Sequence, residues 1–332
     1  MSRRNGKLAK GLLALAGLAL SAVFLWLAVR KADFAEVVDE LQQASLSLIV
    51  VSVAIFGVGY AFQAARWKRI ADAPRVGLGR FYGMVLSGLA CNNVLPIRIG
   101  ELVRARLLSQ DAPMAGGRAL GSVALDRACD VVTLALFLAI GLQAVTSPRW
   151  LVQLVVGVLA ALVVLAGILT FARLYTARRA RERRSRSHAR RIVRDTLETL
   201  AEPLGRRRTA VWLGLSLCTW TLGSVGVTLV ARAVGVELGP VEAVFVTAAL
   251  SLGVAIPSSP GYVGTYQWLG VASLGLLDVP VNQALAFTIL MQASWYVPTT
   301  IAGGTYLGIR ALRRHRSPVG AGAATPDGAT AP

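Results

Sequence analysis

The chain has 332 residues, 55% of them hydrophobic, with a mean hydropathy of +0.59 and a formal net charge of +18. Values this apolar exclude an ordinary soluble domain and predict an all-α polytopic membrane protein. The charge comes from arginines clustered between apolar runs, a pattern of cytoplasmic loops that points away from nucleic acid as a partner.

In chain order, basic residues Arg3, Arg4, Lys7 and Lys10 precede an apolar run to Val29, and Leu8 to Val29 is long enough to cross a hydrocarbon core of about 30 Å. No convincing cleavage site ends this run, so a retained first span is expected rather than a signal peptide. Lys31 to Gln43 alternates acidic and apolar residues at helical spacing, which predicts a short surface helix. Leu46 to Ala65 returns to the cytoplasm, with Arg66, Lys68 and Arg69 as its flanking charges.

Arg80 to Leu95 is an apolar run of only about sixteen residues, suited to entering a membrane rather than crossing it. It closes on Asn92, Asn93 and Pro96, and Arg98 to Leu108 reads as an amphipathic second half carrying Arg98, Glu101, Arg104 and Arg106. Together they predict a re-entrant hairpin opened from the cytoplasmic side. Gly117 to Val145 is a span that carries Asp126, Arg127 and Asp130 among apolar residues. On a helix the two aspartates share a face, and Arg127 can pair with Asp130 at a spacing of three.

Trp150 to Leu174 returns to the cytoplasm, where the loop 173–208 holds thirteen arginines. Within that loop Val193, Leu197, Leu200 and Leu204 follow a helical period that fits an amphipathic helix on an anionic leaflet. Ala210 to Ala231 goes outward, and Val241 to Ala255 is again short, ending at Pro257, Pro260 and Gly261. Tyr262 to Leu277 then completes a second hairpin, opened from outside. Val281 to Gly308 crosses inward, and its Gly304 and Gly308 are at the spacing that allows close helix packing.

The expected architecture is therefore a single transmembrane domain, residues 1–316, of about six spans plus two re-entrant helical hairpins, with a disordered tail at 317–332. One hairpin entered from each side implies an inverted repeat with a binding site near the midplane. Both termini are expected in the cytoplasm of a bacterial inner-membrane, multi-pass protein.

Ionisable groups inside apolar runs usually face a water-filled cavity or a partner within the bundle. Arg98, Arg104 and Arg127 can offer bidentate contacts to a phosphate, and Glu101, Asp126 and Asp130 can orient those arginines or meet an amine. Pro96, Gly100, Pro257, Pro260, Gly261 and Gly264 would break helices so that backbone groups face the cavity. Three plainer readings stand beside these. Arg98, Glu101 and Arg104 fit an interfacial helix. Asp126, Arg127 and Asp130 fit a buried ion pair that fixes helix packing. Pro257 to Gly264 fits an external loop.

These motifs also carry a resemblance. Pro96-x-Arg98-x-Gly100-Glu101-x-x-Arg104, Asp126-Arg127-x-x-Asp130 and Pro257-x-x-Pro260-Gly261-x-x-Gly264-x-x-Gln267 resemble the lysylphosphatidylglycerol synthase transmembrane-region family of flippase-like membrane proteins, over roughly Leu8 to Arg310. Larger members join this region to a soluble domain that attaches an amino acid to phosphatidylglycerol. The residues after Arg316 are too few for such a domain, so the resemblance implies the flippase-like part and not the synthase. It adds Gln267 to the substrate-binding candidates, although Glu is usual there in the family, as it is at Asp126.

Three functions follow. The first is non-enzymatic movement of a phospholipid or lipid-linked molecule between leaflets; the chain has no ATP-binding loop of the GxxxxGK type. The second is an accessory membrane subunit for a lipid- or sugar-transferring enzyme. The third is a lipid-phosphate transferase with a divalent cation on Asp126 and Asp130, a minimal ligand set. Cys91, Cys129 and Cys218 lack CxxC spacing and His188 and His315 stand apart from other ligands, so no metal or cofactor is expected. The candidate partners are membrane lipids with anionic headgroups, a lipid-modifying enzyme and a second copy of the chain.

Overall fold

The computed structural model describes residues 19–95, 99–145, 205–254 and 259–316, with residues 157, 195 and 196 between the second and third stretches. Every regular element among them is helical: α1 (Ala19–Val29), α2 (Phe34–Gln43), α3 (Leu46–Ala71), α4 (Leu78–Val94), α5 (Gly100–Asp111), α6 (Gly116–Gly141), α7 (Arg206–Ala233), α8 (Pro240–Gly253), α9 (Thr265–Gly275) and α10 (Val281–Arg316). Single 3-10 turns follow α6, at Leu142–Ala144, and precede α9, at Pro260–Tyr262. The expected span at Trp150 to Leu174, most of the arginine-rich loop and the tail lie outside the described residues.

α3 and α7 are long and apolar enough to cross a membrane. Their 26 and 28 residues rise about 39 and 42 Å, more than a hydrocarbon core. They pack antiparallel. The Ser45 amide, just before α3, donates to the Ala233 carbonyl at the end of α7 at 2.9 Å, and Gly226 lets the Phe56 ring lie directly on the α7 backbone. α2 begins because the Asp33 carboxylate accepts from the Ala35 amide at 2.8 Å and caps the free N–H groups of the first turn. Asn282 at the start of α10 accepts from the Asp33 amide at 2.9 Å and donates to Glu36, which fixes α2 to that end of the bundle.

α10 serves as a ruler for the rest. α4 runs antiparallel to its C-terminal half: Gly83 accommodates the Tyr306 ring, Gly303 packs on the Leu86 carbonyl, and Asn93 reaches Thr299 and Thr300. α5 turns back along α4, and its last residue Asp111 is ion-paired to Arg310. α8 and α9 form a second hairpin: α9 packs on the other half of α10, where Gly270 meets Thr288 and Gln267 bonds Gln292, while α8 packs against α6 and α7. These four helices have 17, 12, 14 and 11 residues. They rise about 25, 18, 21 and 17 Å, each less than a hydrocarbon core.

The two ends of the bundle differ in charge. Where α3 and α5 end, α4 and α7 begin and α10 ends lie Lys68, Arg69, Arg80, Arg206, Arg207, Arg208 and Arg313. The opposite end, with α2, the α7–α8 turn and the α9–α10 turn, carries mostly carboxylates: Asp33, Glu36, Asp39, Glu40, Glu237, Glu242 and Asp278.

Three expectations are corrected. Arg66 is not a solvated flanking charge but is completely buried, because α3 continues to Ala71 and turns it inward. Asn92 and Asn93 do not end α4; the helix runs through both to Val94. Gly304 and Gly308 meet nothing within 4 Å, and the close helix contact is made one residue earlier, by Gly303.

Candidate functional site

The two interrupted segments meet at the middle of α10. On the α4 side, the Asn92 side-chain oxygen accepts from the Gly100 amide at 2.8 Å, so a residue of one helix caps the start of the next. Its amide nitrogen donates to both Glu101 oxygens at 3.4 Å. Gly100 lies against the Gly88 carbonyl with no room for a side chain, and Gly88 is covered by the Arg104 stem. Asn93 donates to Thr300 at 2.8 Å and Thr299 at 3.2 Å, while the Tyr296 hydroxyl donates to the Asn93 carbonyl at 3.3 Å. Pro96 and Arg98 lie outside the described residues, as does Pro257.

On the other side, Pro260 opens the 3-10 turn and the backbone turns left-handed at Gly261 (φ 72°), Tyr262 (φ 62°) and Gly264 (φ 87°). Glycine accepts these angles without strain, whereas Tyr262 bears a cost in this region. A chain of amides holds the turn: Gly264 N–H donates to Gln267 Oε1 at 2.7 Å, Gln267 to Gln292, and Gln292 to the Gly261 carbonyl. Gln267 is thus a buried clamp whose polar groups are engaged within the protein. Gly261 also packs on the Tyr296 ring, so one α10 side chain touches both interrupted segments, and α4 itself contacts the Pro260–Tyr262 turn.

Below this junction, toward the basic end, lies a buried ionic cluster. Asp126 and Asp130 do share one face of α6, and Arg66 of α3 spans them. Its Nε donates to Asp126 Oδ1 at 2.8 Å, its Nη1 donates to Ser216 at 2.7 Å, and its Nη2 sits 2.8 Å from Asp130 Oδ1. That last contact is ionic and misses hydrogen-bond geometry. Arg104 of α5 donates to Asp126 Oδ2 at 2.7 Å and lies over the Trp67 ring at 4.2 Å. Arg127 Nη1 lies 3.3 Å from Asp130, as the spacing of three allows, and Trp220 donates to Asp130 at 3.0 Å.

The cluster sets three guanidiniums against two carboxylates and keeps one positive charge. Arg66, Arg104, Asp126 and Asp130 are 0, 2, 0 and 3% exposed, so they face one another. Arg104 Nε and Nη1 and Arg127 Nε are buried without a hydrogen-bond partner. Arg127 differs, because 37% of its side chain is exposed and it lines a cavity of about 230 Å³. Tyr60, Gln63, Trp220, Ser251 and Trp295 also line it, with Tyr266 bonded to Trp295 at its wall. The cavity sits at the level of the junction, since Met291 and Trp295 of α10 and Leu89 of α4 close it.

The structure therefore brings Arg104, Asp126, Arg127 and Asp130 together, keeps Glu101 half-buried at the α4–α5 turn, and sets Gln267 apart in the other turn. Among the described residues no group of three or more His, Cys, Asp or Glu side chains could hold a metal ion, and both cluster carboxylates are engaged by guanidiniums. Arg66, Trp67, Ser216 and Trp220 were not legible as cluster members. For Arg66 the available signal was Gln63, Arg66 and Trp67 falling on one helical face.

Comparison with known proteins places this chain in a family. The model of the lysylphosphatidylglycerol synthase TM region matches residues 14–303. The chain is also similar to glycosyltransferase AglD of Haloferax volcanii, 26% identical over 330 residues that cover 87% of this chain and 53% of the relative. It thus spans about half the length of that protein. With a family model covering most of its length and two helices fit to cross a bilayer, the chain is a membrane protein that belongs to the lysylphosphatidylglycerol synthase transmembrane-region family.

Proposed function

We propose that this protein moves a phospholipid or lipid-linked molecule between membrane leaflets without enzymatic turnover. A headgroup crossing hydrocarbon needs a polar path, while its acyl chains can stay in lipid. The observation that carries this reading is the meeting of two helical hairpins, each too short to cross, at the middle of α10 beside a cavity lined by a partly exposed Arg127.

In this reading the basic end faces the cytoplasm, in line with the positive-inside rule. The α4–α5 hairpin enters from there, the α8–α9 hairpin enters from outside, and the two form an inverted pair with the site near the midplane. Arg127 meets the phosphate, and the buried cluster holds α3, α5, α6 and α7 in register around it. Both termini lie inside.

Purified protein in liposomes carrying labelled lipids tests the proposal. Headgroup movement should exceed that of empty liposomes for at least one anionic lipid, and Arg127→Gln should slow it. Movement no faster than in empty liposomes across a broad lipid panel would overturn it. Cysteines introduced at Leu95 and Ser259 test the placement: ready labelling of both from one side by an impermeant reagent would mean that no slot exists.

The relative named a glycosyltransferase favours a second reading. The activity in that relative's name supports a role as a membrane unit working beside a lipid- or sugar-transferring enzyme. Co-purification of such an enzyme, with loss of its activity but not of lipid movement on Arg127→Gln, would favour that role.

A further inference from the structure

We infer that the cavity beside Arg127 takes the headgroup of a lipid-linked phosphate whose polar part is an uncharged sugar, and that it rejects aminoacylated, cationic headgroups. This rests on the translocation reading and names its substrate class. Three features of the cavity wall carry it.

Charge is the first. Arg127 is the charged side chain on the wall; Asp126 is engaged by Arg66 and Arg104, and Asp130, directly behind the wall, is already occupied by Arg66, Arg127, Gln63 and Trp220. An ammonium group entering the cavity would lose water beside a guanidinium with no carboxylate to receive it. A phosphate finds a charge-assisted donor there.

The aromatic walls are the second. Tyr60, Trp220, Tyr266 and Trp295 surround a space of about 230 Å³. That is more than the roughly 150 Å³ cavity that admits a benzene ring, and room for one compact headgroup. Ring faces carry negative charge density and attract the electron-poor C–H face of a pyranose. A glycerol headgroup presents no such flat apolar face.

Unused hydroxyls are the third. The Tyr60 and Ser251 side chains line the cavity and make no hydrogen bond to any described residue. Each can donate and accept, which suits the vicinal hydroxyls of a sugar.

The test uses the full chain in nanodiscs and three probes: a short-chain polyprenyl phosphohexose, short-chain phosphatidylglycerol and lysylphosphatidylglycerol. Emission of the cavity tryptophans reads binding. The phosphohexose lipid should bind at least tenfold more tightly than either other lipid, and Ser251→Ala should weaken it about fivefold with no change in the unfolding midpoint. Equal or tighter binding of the lysyl lipid overturns the charge argument, and equal binding of phosphatidylglycerol overturns the sugar assignment. A liposome assay with the same three lipids separates this from the translocation reading. If phosphatidylglycerol or its lysyl form moves while the phosphohexose lipid neither binds nor moves, this inference fails and translocation stands. If the phosphohexose lipid binds selectively and nothing moves, translocation fails and the cavity assignment stands.

Discussion

Asp126→Asn should be among the most damaging single changes in the chain. Asp126 has no exposed surface and accepts from Arg66 at 2.8 Å and from Arg104 at 2.7 Å, one guanidinium on each oxygen. Asparagine keeps the shape but loses the charge, and it turns an N–H₂ group toward one of those guanidiniums. Arg66 then keeps Asp130, while Arg104 loses the carboxylate it is paired with. Removing one partner of a buried pair costs about 3–5 kcal/mol, because an uncompensated charge stays buried. Unfolding of the purified protein in mixed micelles, followed by tryptophan emission, measures the loss. Arg104→Met in the Asp126→Asn background should recover part of it, since one stranded cation is gone, and the double-mutant cycle should give a coupling above about 0.5 kcal/mol. A stability within about 0.5 kcal/mol of wild type for Asp126→Asn, or strict additivity with Arg104→Met, would refute the idea that the cluster is electrostatically closed.

Other outcomes follow from close contacts. Gly303→Ala and Gly100→Ala place a methyl against the Leu86 and Gly88 carbonyls and should each destabilise by about 1–3 kcal/mol. Gly304→Ala and Gly308→Ala meet open space and should stay within about 0.5 kcal/mol in the same unfolding assay. Gln292→Leu removes the partner of both Gln267 and the Gly261 carbonyl. It should cost about 1–3 kcal/mol and raise amide hydrogen exchange at 259–264, while exchange in α3 stays unchanged. Asn93→Ala cuts the contacts to Thr299 and Thr300 and should raise exchange at the end of α4 by at least tenfold; unchanged protection there would show that α4 is held by its apolar face alone.

Much of this molecule can be read along the chain because hydrophobic length and local charge are one-dimensional quantities. Membrane class, the helical character of the described elements, the shortness of α4, α8 and α9, and the placing of Asp126 and Asp130 on one face all follow from spacing and from a core about 30 Å thick. The broken backbone at Gly261 and Gly264 was legible for the same reason, since glycine and proline act where they stand. What spacing does not contain is which way a long side chain turns when its helix meets three others. Sequence position groups Arg66 with Lys68 and Arg69 as a flanking cation, yet packing of α3 against α6 and α7 brings it onto two aspartates sixty or more residues away. Only there can a buried guanidinium be neutralised. The same holds for Gly303 against Gly304, where one residue of helix rotation, set by α4, decides which glycine is covered. The sequence alone determined that polar groups are carried within apolar helices; the tertiary structure decided that four of them pair with one another and that Arg127 remains partly open to the cavity. The reason is that burying charge is tolerable only with opposite charge at contact distance, and that distance exists only after the helices have packed.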